Sequence, residues 1–556
     1  MKKILKNSFL LALAFIFLLT SCINDLDTLP LNETDATSET AYAEPSSYLN
    51  GLAYLYGYWA LVSQNDMGSP DIAVADAGQS ELSRMYMVLN ELSTDSFKII
   101  WGDNYIVPIQ YHRWTSADNE AIIAVYTRCM KGITLVNEYL IQTADEKLND
   151  RGHSAEIATV HQYRAEARFN RALYYYLLMD LFGNPPFALE ENIGGELPKQ
   201  IGREALYTWL EEELLDLANS TDMPAKGAVP YPRATKGSVW ALLARMYLNA
   251  EVYTGSPQWQ KAKDAAGTVI GMGYTLHPNY QELFMQDNTT NGATQEFIYA
   301  VVYDKDNTQS WGGTTHLVSA TLSSDANNAI AKNLGLSGLL NPETWNGYHV
   351  ADDYVQRFEL EGVQWGATSG FGYDREKSDK RAFFYNIGSS KDFDNTTTDT
   401  GWRCWKFTGL YSDGHTVSDA ESNYKFSSID YPIFRLAEMY LIYAEANARM
   451  SGGVVNDPTA KGYINQLRER AGVASKTPET MDLDWLLDER ARELMWEGHR
   501  RTDLIRYGYF TSMQYPWTLK GGVLNGKVSL PEHRKVYPII LSDLNANPNL
   551  VQNTGY

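Results

Sequence analysis

Cysteine is almost missing from this chain: Cys22, Cys129 and Cys404 are the only three among 556 residues. A disulfide framework is therefore excluded in any redox compartment. Positive charge is also scarce. Forty-seven Lys and Arg face 68 Asp and Glu, and the net charge of −21 argues against nucleic acid or anionic lipid as the partner. Beyond residue 19 no apolar run approaches the roughly 20 residues of a membrane-spanning helix. Catalytic signatures are missing as well. The nine histidines never form His-Glu-x-x-His, and no Gly-x-Ser-x-Gly elbow occurs. The stretch "GGVLNGKV" (521–528) has the glycine and lysine spacing of a phosphate loop, but Val528 stands where Ser or Thr would hold magnesium. Leu530 and Pro531 then follow, which do not open a helix. A glycosidase needs two carboxylates flanking a sugar bond, and 68 acidic residues single out no pair. The balance leans away from an enzyme.

The single long apolar run, Phe9 to Leu19, follows Lys2, Lys3 and Lys6. It is about half a membrane span and has the flanks of a secretory signal. Leu19-Thr20-Ser21-Cys22 resembles a bacterial lipobox. Cleavage before Cys22 leaves a thiol and an amino group for acylation, and several acyl chains anchor firmly because each buried methylene contributes about 0.8 kcal/mol. Residues 1–21 thus read as a lipoprotein signal peptide, and 22–47, polar with Pro30, as a lipidated tether. Cys129, inside "AVYTRCMKGITLVNEYL", reads as a core filler.

From 48 to 275 helical periodicity prevails. In "GSVWALLARMYLNAEVY", Val239, Leu242, Leu243, Met246, Tyr247 and Ala250 make one apolar stripe. "AEARFNRALYYYLLMDLFGNPPF" is a long helix stopped by Gly183 and Pro185-Pro186. "PIFRLAEMYLIYAEANARMSGG" repeats the stripe in a second helical region, 432–556. The helices pair across Gly-bearing turns, like degenerate tetratricopeptide repeats. Residues 276–431 differ, being rich in Gly, Asn, Asp, Ser and Thr with Trp and Tyr among them. So long a loop is abnormal unless functional or internally structured, and it reads as a recognition insertion on the scaffold. The expected fold is mainly all-α, a scaffold of tetratricopeptide-like helix pairs with a large loop-rich insertion.

The densest charge cluster is "DERARELMWEGHRRTDLIRYG" (488–508), where Asp488 with Arg492 and Glu497 with Arg501 stand at i,i+4, as in a structural salt ladder. Aromatics are abundant, with 37 Tyr and 14 Trp. Trp240, Trp485 and Trp496 stand in helical patterns and read as core. Trp101, Trp311, Trp345 and Trp365 stand in polar surroundings with glycine one or two residues on. Loops keep large rings near water for a reason, and a neighbouring glycine leaves a ring face open. Such rings suit the C–H face of a pyranose, with Asp, Asn and Arg to take its hydroxyls; packing on a small local core is the alternative for each.

These segments, together with "INQLRERAG" and the ending "YPIILSDLNANPNLVQNTGY", resemble the SusD/RagB family of outer-membrane glycan-binding lipoproteins along almost the whole chain. The resemblance implies a helical fold, no catalytic activity, and a cell-surface, lipid-anchored protein that acts as a lid on a SusC-like TonB-dependent transporter barrel. It is strongest to the starch-binding members, through "GSPDIAVADAGQSELSR", "NELSTDSFKIIWGDN" and "LFMQDN". That implies glucan-binding roles for Asp76, Arg84, Trp101, Asn104, Trp311 and Trp345, and lipidation at Cys22. Two departures touch the linkage of the α-glucan: Ile99 and Trp311 replace a tryptophan and a tyrosine of those members. Some members hold a structural calcium. Asp430 matches one ligand position but Ser428 replaces another carboxylate, so no metal or cofactor is expected as a requirement. The alternatives are a differently linked glucan on the same fold, a peptide-import lid and a surface glycoside hydrolase.

Overall fold

Apolar stripes at helical spacing become helices, and they end where capping chemistry requires. The computed structural model describes residues 38–64, 66–117, 119–192, 195–393, 399–417, 425–473 and 480–556; Cys22, the signal peptide and most of the tether lie outside the described residues. The first half holds α1 (Ser46–Gly57), α2 (Leu82–Glu91), α3 (Glu120–Gln142), α4 (Ile157–Phe182), α5 (Arg203–Asn219), α6 (Lys236–Leu248) and α7 (Trp259–Ile270). Asn119 caps α3 by accepting the Ile122 N–H at 3.2 Å, and Thr235 and Ser238 form a reciprocal capping box on α6. Gly183 ends α4 at φ 75°, a conformation a β-carbon resists. Helix α3 packs on α4 and α6 on α7. The stripe from Val239 to Ala250 is buried throughout, although the helix breaks at Asn249.

The region 276–431 carries short structure of its own. Strand β1 (Lys98–Ile99) lies far upstream, β2 (Phe297–Val301), β3 (Tyr348–His349), β4 (Phe384–Tyr385) and β5 (Arg403–Cys404) lie within the region, and β6 (Tyr431–Arg435) closes it. They pair antiparallel as β1 with β3, β2 with β6 and β4 with β5. Helix α8 (Gly313–Ser319) packs on α2. Trp402, Trp405, Phe384 and Phe407 are buried and belong to the same apolar cluster as the helices, so the region shares the main core. Cys129 and Cys404 are buried free thiols, and burial pushes both upward in pKa.

Helix α9 (Leu436–Met450) packs on α7 and on α10 (Pro458–Arg470), followed by α11 (Leu483–Glu493) and α12 (Arg500–Arg506). Three sequence expectations are corrected here. "PIFR" belongs to β6, and the helix starts only at Leu436. The 488–508 stretch is two helices split by a turn, in which Trp496 has φ 61°. Neither expected i,i+4 ion pair forms. Asp488 instead accepts from Arg357 at 3.0 Å, Arg492 pairs with Glu489 at 2.7 Å, and Glu497 binds Lys406 and Arg435 at 2.6 Å each. Arg501 donates to the Arg534 carbonyl at 3.2 Å.

These charges form a buried hub where β6, α10 and α11 meet Asp379, Arg381 and Lys406. Arg435 reaches Glu493 at 2.6 Å, Glu497 at 2.6 Å and Glu296 at 3.0 Å. Arg381 binds Asp379, Glu489 and Glu493 at 2.7, 2.8 and 3.1 Å, and Arg470 also pairs with Glu493. Burial pushes the Glu489 carboxyl up, but Arg381, Arg492 and Arg468 outweigh it and hold it at about 2. A buried pair is a poor net stabiliser when intact, yet losing one member strands an uncompensated charge.

Candidate functional site

Pairing of β1 with β3 brings two distant tryptophans together. Trp101 leaves β1, while Trp345, Asn346 and Gly347 enter β3, and the Ile100 N–H donates to the Gly347 carbonyl at 3.1 Å. The Trp101 indole N–H donates to the Trp345 carbonyl at 3.1 Å. A β-carbon on Gly347 would fall 2.1 Å from the Trp101 ring, so this glycine lets backbone slide under an indole. Trp311 precedes α8 and is strapped to α2 by Glu81, whose carboxylate accepts the Arg84 and Gly313 N–H groups at 2.7 and 2.8 Å. The Arg84 guanidinium adds a bond to the Trp311 carbonyl at 3.2 Å. A β-carbon on Gly312 would meet the Glu81 side chain at 2.4 Å. Glycines 312 and 347 therefore serve close approach between segments, whereas the sequence reading had them uncovering a ring face.

The result is a cavity of about 440 Å³ lined by Asp76, Arg84, Trp101, Asp103, Trp311, Glu343 and Trp345. Each of the three indoles is half-buried. Trp101 and Trp345 lie 6.3 Å apart at 58°, and Trp345 and Trp311 lie 5.9 Å apart at 51°. Successive tilts of this size give a bent row of ring faces. Behind it stands His316, 5.8 Å from Trp101 and 5.7 Å from Trp345, with its Nε2 bonded to the Tyr348 hydroxyl at 2.7 Å. Burial holds His316 well below its usual pKa, so it is neutral packing for the row. Asp76 is 54 % exposed and lies 3.7 Å from Arg84. Asp103 accepts from Gln79 at 3.1 Å.

Five of the six expected residues meet here. Asn104 is not among the lining residues; it is exposed, and its amide donates to Glu120 at the start of α3 at 3.2 Å. Asp103 and Glu343 were missed. Their signal was proximity, each two residues from a lining tryptophan. Ile99 is buried in β1 opposite Tyr348 and offers no platform. Trp365 rests on Trp402 beside a different cavity. Of the three expected core tryptophans Trp496 is fully buried, whereas Trp240 and Trp485 are half-buried. Asp430 spends its carboxylate on the Tyr231 and Thr289 hydroxyls and the Tyr303 N–H, at 2.8, 2.9 and 3.2 Å. Ser428 accepts the Lys305 N–H at 3.1 Å. A carboxylate saturated by protein donors beside a neutral hydroxyl does not fit a calcium cage, which draws on several unspent oxygens.

The bent row offers apolar faces to a flat, C–H-rich ring, and Arg84 with three carboxylates offers polar partners at its edges. Residues 360–556 match the model described as the SusD family, and residues 71–248 match the model described as starch-binding associating with outer membrane. The starch-binding protein SusD of Bacteroides thetaiotaomicron is 35% identical, with 97% of this chain and 96% of that protein covered. The chain belongs to the SusD family. A SusD-like protein P25 of Formosa agariphila is 26% identical over 70% of this chain and 73% of its own. Among solved structures, surface glycan-binding protein A of Bacteroides thetaiotaomicron in complex with laminarihexaose superposes with a TM-score of 0.65 at 18% identity, covering 91% of this chain and 99% of that one. SusD-family glycan-binding proteins are non-catalytic, and the family is associated with glycan binding at the outer-membrane surface.

Proposed function

We propose that this SusD-family protein binds starch-like α-glucan oligosaccharides along the Trp101–Trp345–Trp311 row and passes them to a SusC-like TonB-dependent transporter barrel. The convergence of three indoles, Asp76 and Arg84 on one cavity carries the reading. A sugar face stacks on each indole while Arg84, Asp76, Asp103 and Glu343 take neighbouring hydroxyls. The bend of the row suits a chain that curls, as an α-1,4-glucan does. Charge-assisted hydrogen bonds contribute about 1.5–3 kcal/mol each, and ordering a flexible glycan offsets much of that. Dissociation constants of roughly 10 μM to 1 mM are expected. The reading requires no cofactor. Acyl chains on Cys22 would hold the protein at the outer face of the outer membrane, and co-purification with a large barrel in mild detergent tests the partner.

A differently linked glucan is the second reading, supported by Ile99 being buried where an extra ring would widen the row, and by a structural neighbour titled a laminarin-binding SusD-like protein. Calorimetry with maltoheptaose, an isomalto-oligosaccharide and laminarihexaose decides between them. Tightest binding of maltoheptaose supports the α-1,4 reading; failure to bind it while another is bound overturns that linkage.

A further inference from the structure

Of the four tryptophans set before glycine in polar sequence, Trp365 alone stands outside the Trp101 cavity, and its surroundings are those of a second site. Its indole stands edge-on to Trp402, 5.1 Å away at 66°, and Trp402 is fully buried. The outer ring is thus seated on a rigid inner one while staying half-exposed. It lines a cavity of about 330 Å³ with an apolar floor that includes Val355, Phe358 and Leu360, and with Asp352, Gln356 and Lys391 at its polar edge. Asp352, Gln356 and Lys391 also line an adjoining cavity of about 560 Å³, so the ring stands at one end of a longer groove. Volumes of this order suit small-molecule sites. Next to the ring, Gly366 has φ 74°, and nothing lies within 4 Å of where its β-carbon would be.

Beside the ring the polar groups are organised around Asp352, and Asp353 and Asp392 line the adjoining cavity. Asp352 accepts the Trp402 indole N–H at 3.0 Å, the Gln356 amide at 2.7 Å and the Lys391 ammonium at 3.1 Å. That fixes Gln356 and Lys391 on the rim, where the Gln356 carbonyl oxygen accepts and the ammonium, with three N–H donors, can donate. An aromatic platform with a donor and an acceptor beside it matches a neutral sugar: an apolar ring face flanked by hydroxyls.

The site is also near the first one. Trp345 and Asp352 are seven residues apart across β3, which limits their Cα separation to about 25 Å. Asn346, beside Trp345, accepts from Arg403 at 3.1 Å, and Arg403 follows Trp402 in the chain.

We infer that the Trp365 groove is a second carbohydrate subsite, which takes a neutral hexose unit on the indole face with its hydroxyls on Lys391 and Gln356. The inference rests on the glycan-binding reading of the Trp101 cavity for its ligand class, and the experiment separates the two. The full protein is labelled with 5-fluorotryptophan, and the Trp365 fluorine resonance is assigned with Trp365→Phe. It is then titrated with maltoheptaose, isomalto-oligosaccharide and laminarihexaose, in wild type and in Trp101→Ala. A saturable shift of the Trp365 resonance in both proteins, weakened at least threefold by the surface change Lys391→Ala, supports the subsite. A Trp365 resonance that stays still while that of Trp101 moves to saturation overturns it and leaves the first reading intact. Neither resonance moving overturns both.

Discussion

Arg435 and Arg84 are both buried, yet Arg435 meets three glutamates within 3.0 Å, whereas Arg84 reaches the Asp76 carboxylate at 3.7 Å and the Trp311 carbonyl. The partners differ as much as the distances. Glu493 has no exposure, and Asp76 is 54 % exposed. In the hub every charge is spent on the protein, so the arginine holds β6, α10 and α11 together and has little to give a ligand. In the cavity the pairing is loose and one partner faces water, so the same chemistry stays available. Tryptophan divides likewise: Trp402, Trp405 and Trp496 are closed in, while Trp101, Trp311 and Trp345 keep a face open.

The sharpest way to break this comparison is Glu493→Gln. It leaves Arg435, Arg470 and Arg381 around an uncharged amide, and loss of one member of a buried pair costs about 3–5 kcal/mol. Urea unfolding should show that loss, with glycan affinity at the cavity unchanged in whatever protein remains folded. A change below 0.5 kcal/mol would mean that the hub does not hold the fold.

The hub also sets a pH signature. Glu489 in the hub, and Glu445 of α9 beside Arg506 and Arg449, are held at about 2, because the arginines around each outweigh the burial that pushes it up. Their stabilisation is complete above the unfolded carboxylate value and is lost as pH falls from about 4.3 toward 2. Glu91 and Asp430 act the other way. Burial raises Glu91 to about 7 and Asp430 to about 6. The stability they contribute is complete below about 4 and is lost as pH rises through 6 to 7. Shifts of this size are worth about 3 kcal/mol per group, so unfolding free energy should peak near the unfolded carboxylate value, at about pH 4 to 4.5. Thermal melts from pH 2.5 to 8 read it directly, and a monotonic rise across that range would contradict it.

At the cavity the expected effects are smaller and fall on binding. Trp101→Ala removes a ring face and its bond to the Trp345 carbonyl, and should weaken the preferred glycan at least tenfold, about 1.4 kcal/mol. Because the ring is half-buried against His316 and Gly347, some stability goes as well, about 1–2 kcal/mol. Trp496→Ala is the converse control. Fully buried, it should cost about 3–5 kcal/mol of stability and leave the affinity of the folded fraction near wild type. Calorimetry paired with urea titration checks both.

What the chain discloses in advance follows the range of the interaction. The stripe from Val239 to Ala250 and the stop at Gly183 are local, and both were legible. The tryptophans that line the cavity were legible as a group because a large ring beside glycine in polar sequence is locally odd. The hub was not, since its pairs join residues as remote as Arg435 with Glu296 and Lys406 with Glu497, and local spacing suggested i,i+4 partners instead. Trp240 and Trp496 looked alike inside helical patterns. Only the turn after α11, with Trp496 at positive φ, buries one of them completely. Asp103 over Asn104 is the same lesson at one-residue range: a short turn after Trp101 decides which side chain faces the cavity.

Asp76→Asn gives the mildest and most discriminating arm. The carboxylate is more than half exposed and 3.7 Å from Arg84, so the pair contributes about 0.2–1 kcal/mol in water. Asparagine keeps one acceptor and loses the charge. Stability should therefore stay within about 0.5 kcal/mol of wild type, and glycan affinity should fall about two- to fivefold, within 1 kcal/mol. High salt should shrink that difference, because exposed charges are screened. A stability loss matching Glu493→Gln would mean that Arg84 and Asp76 are a second structural hub. An affinity equal to wild type at low salt would remove Asp76 from the ligand's partners and leave recognition to the indoles and Arg84.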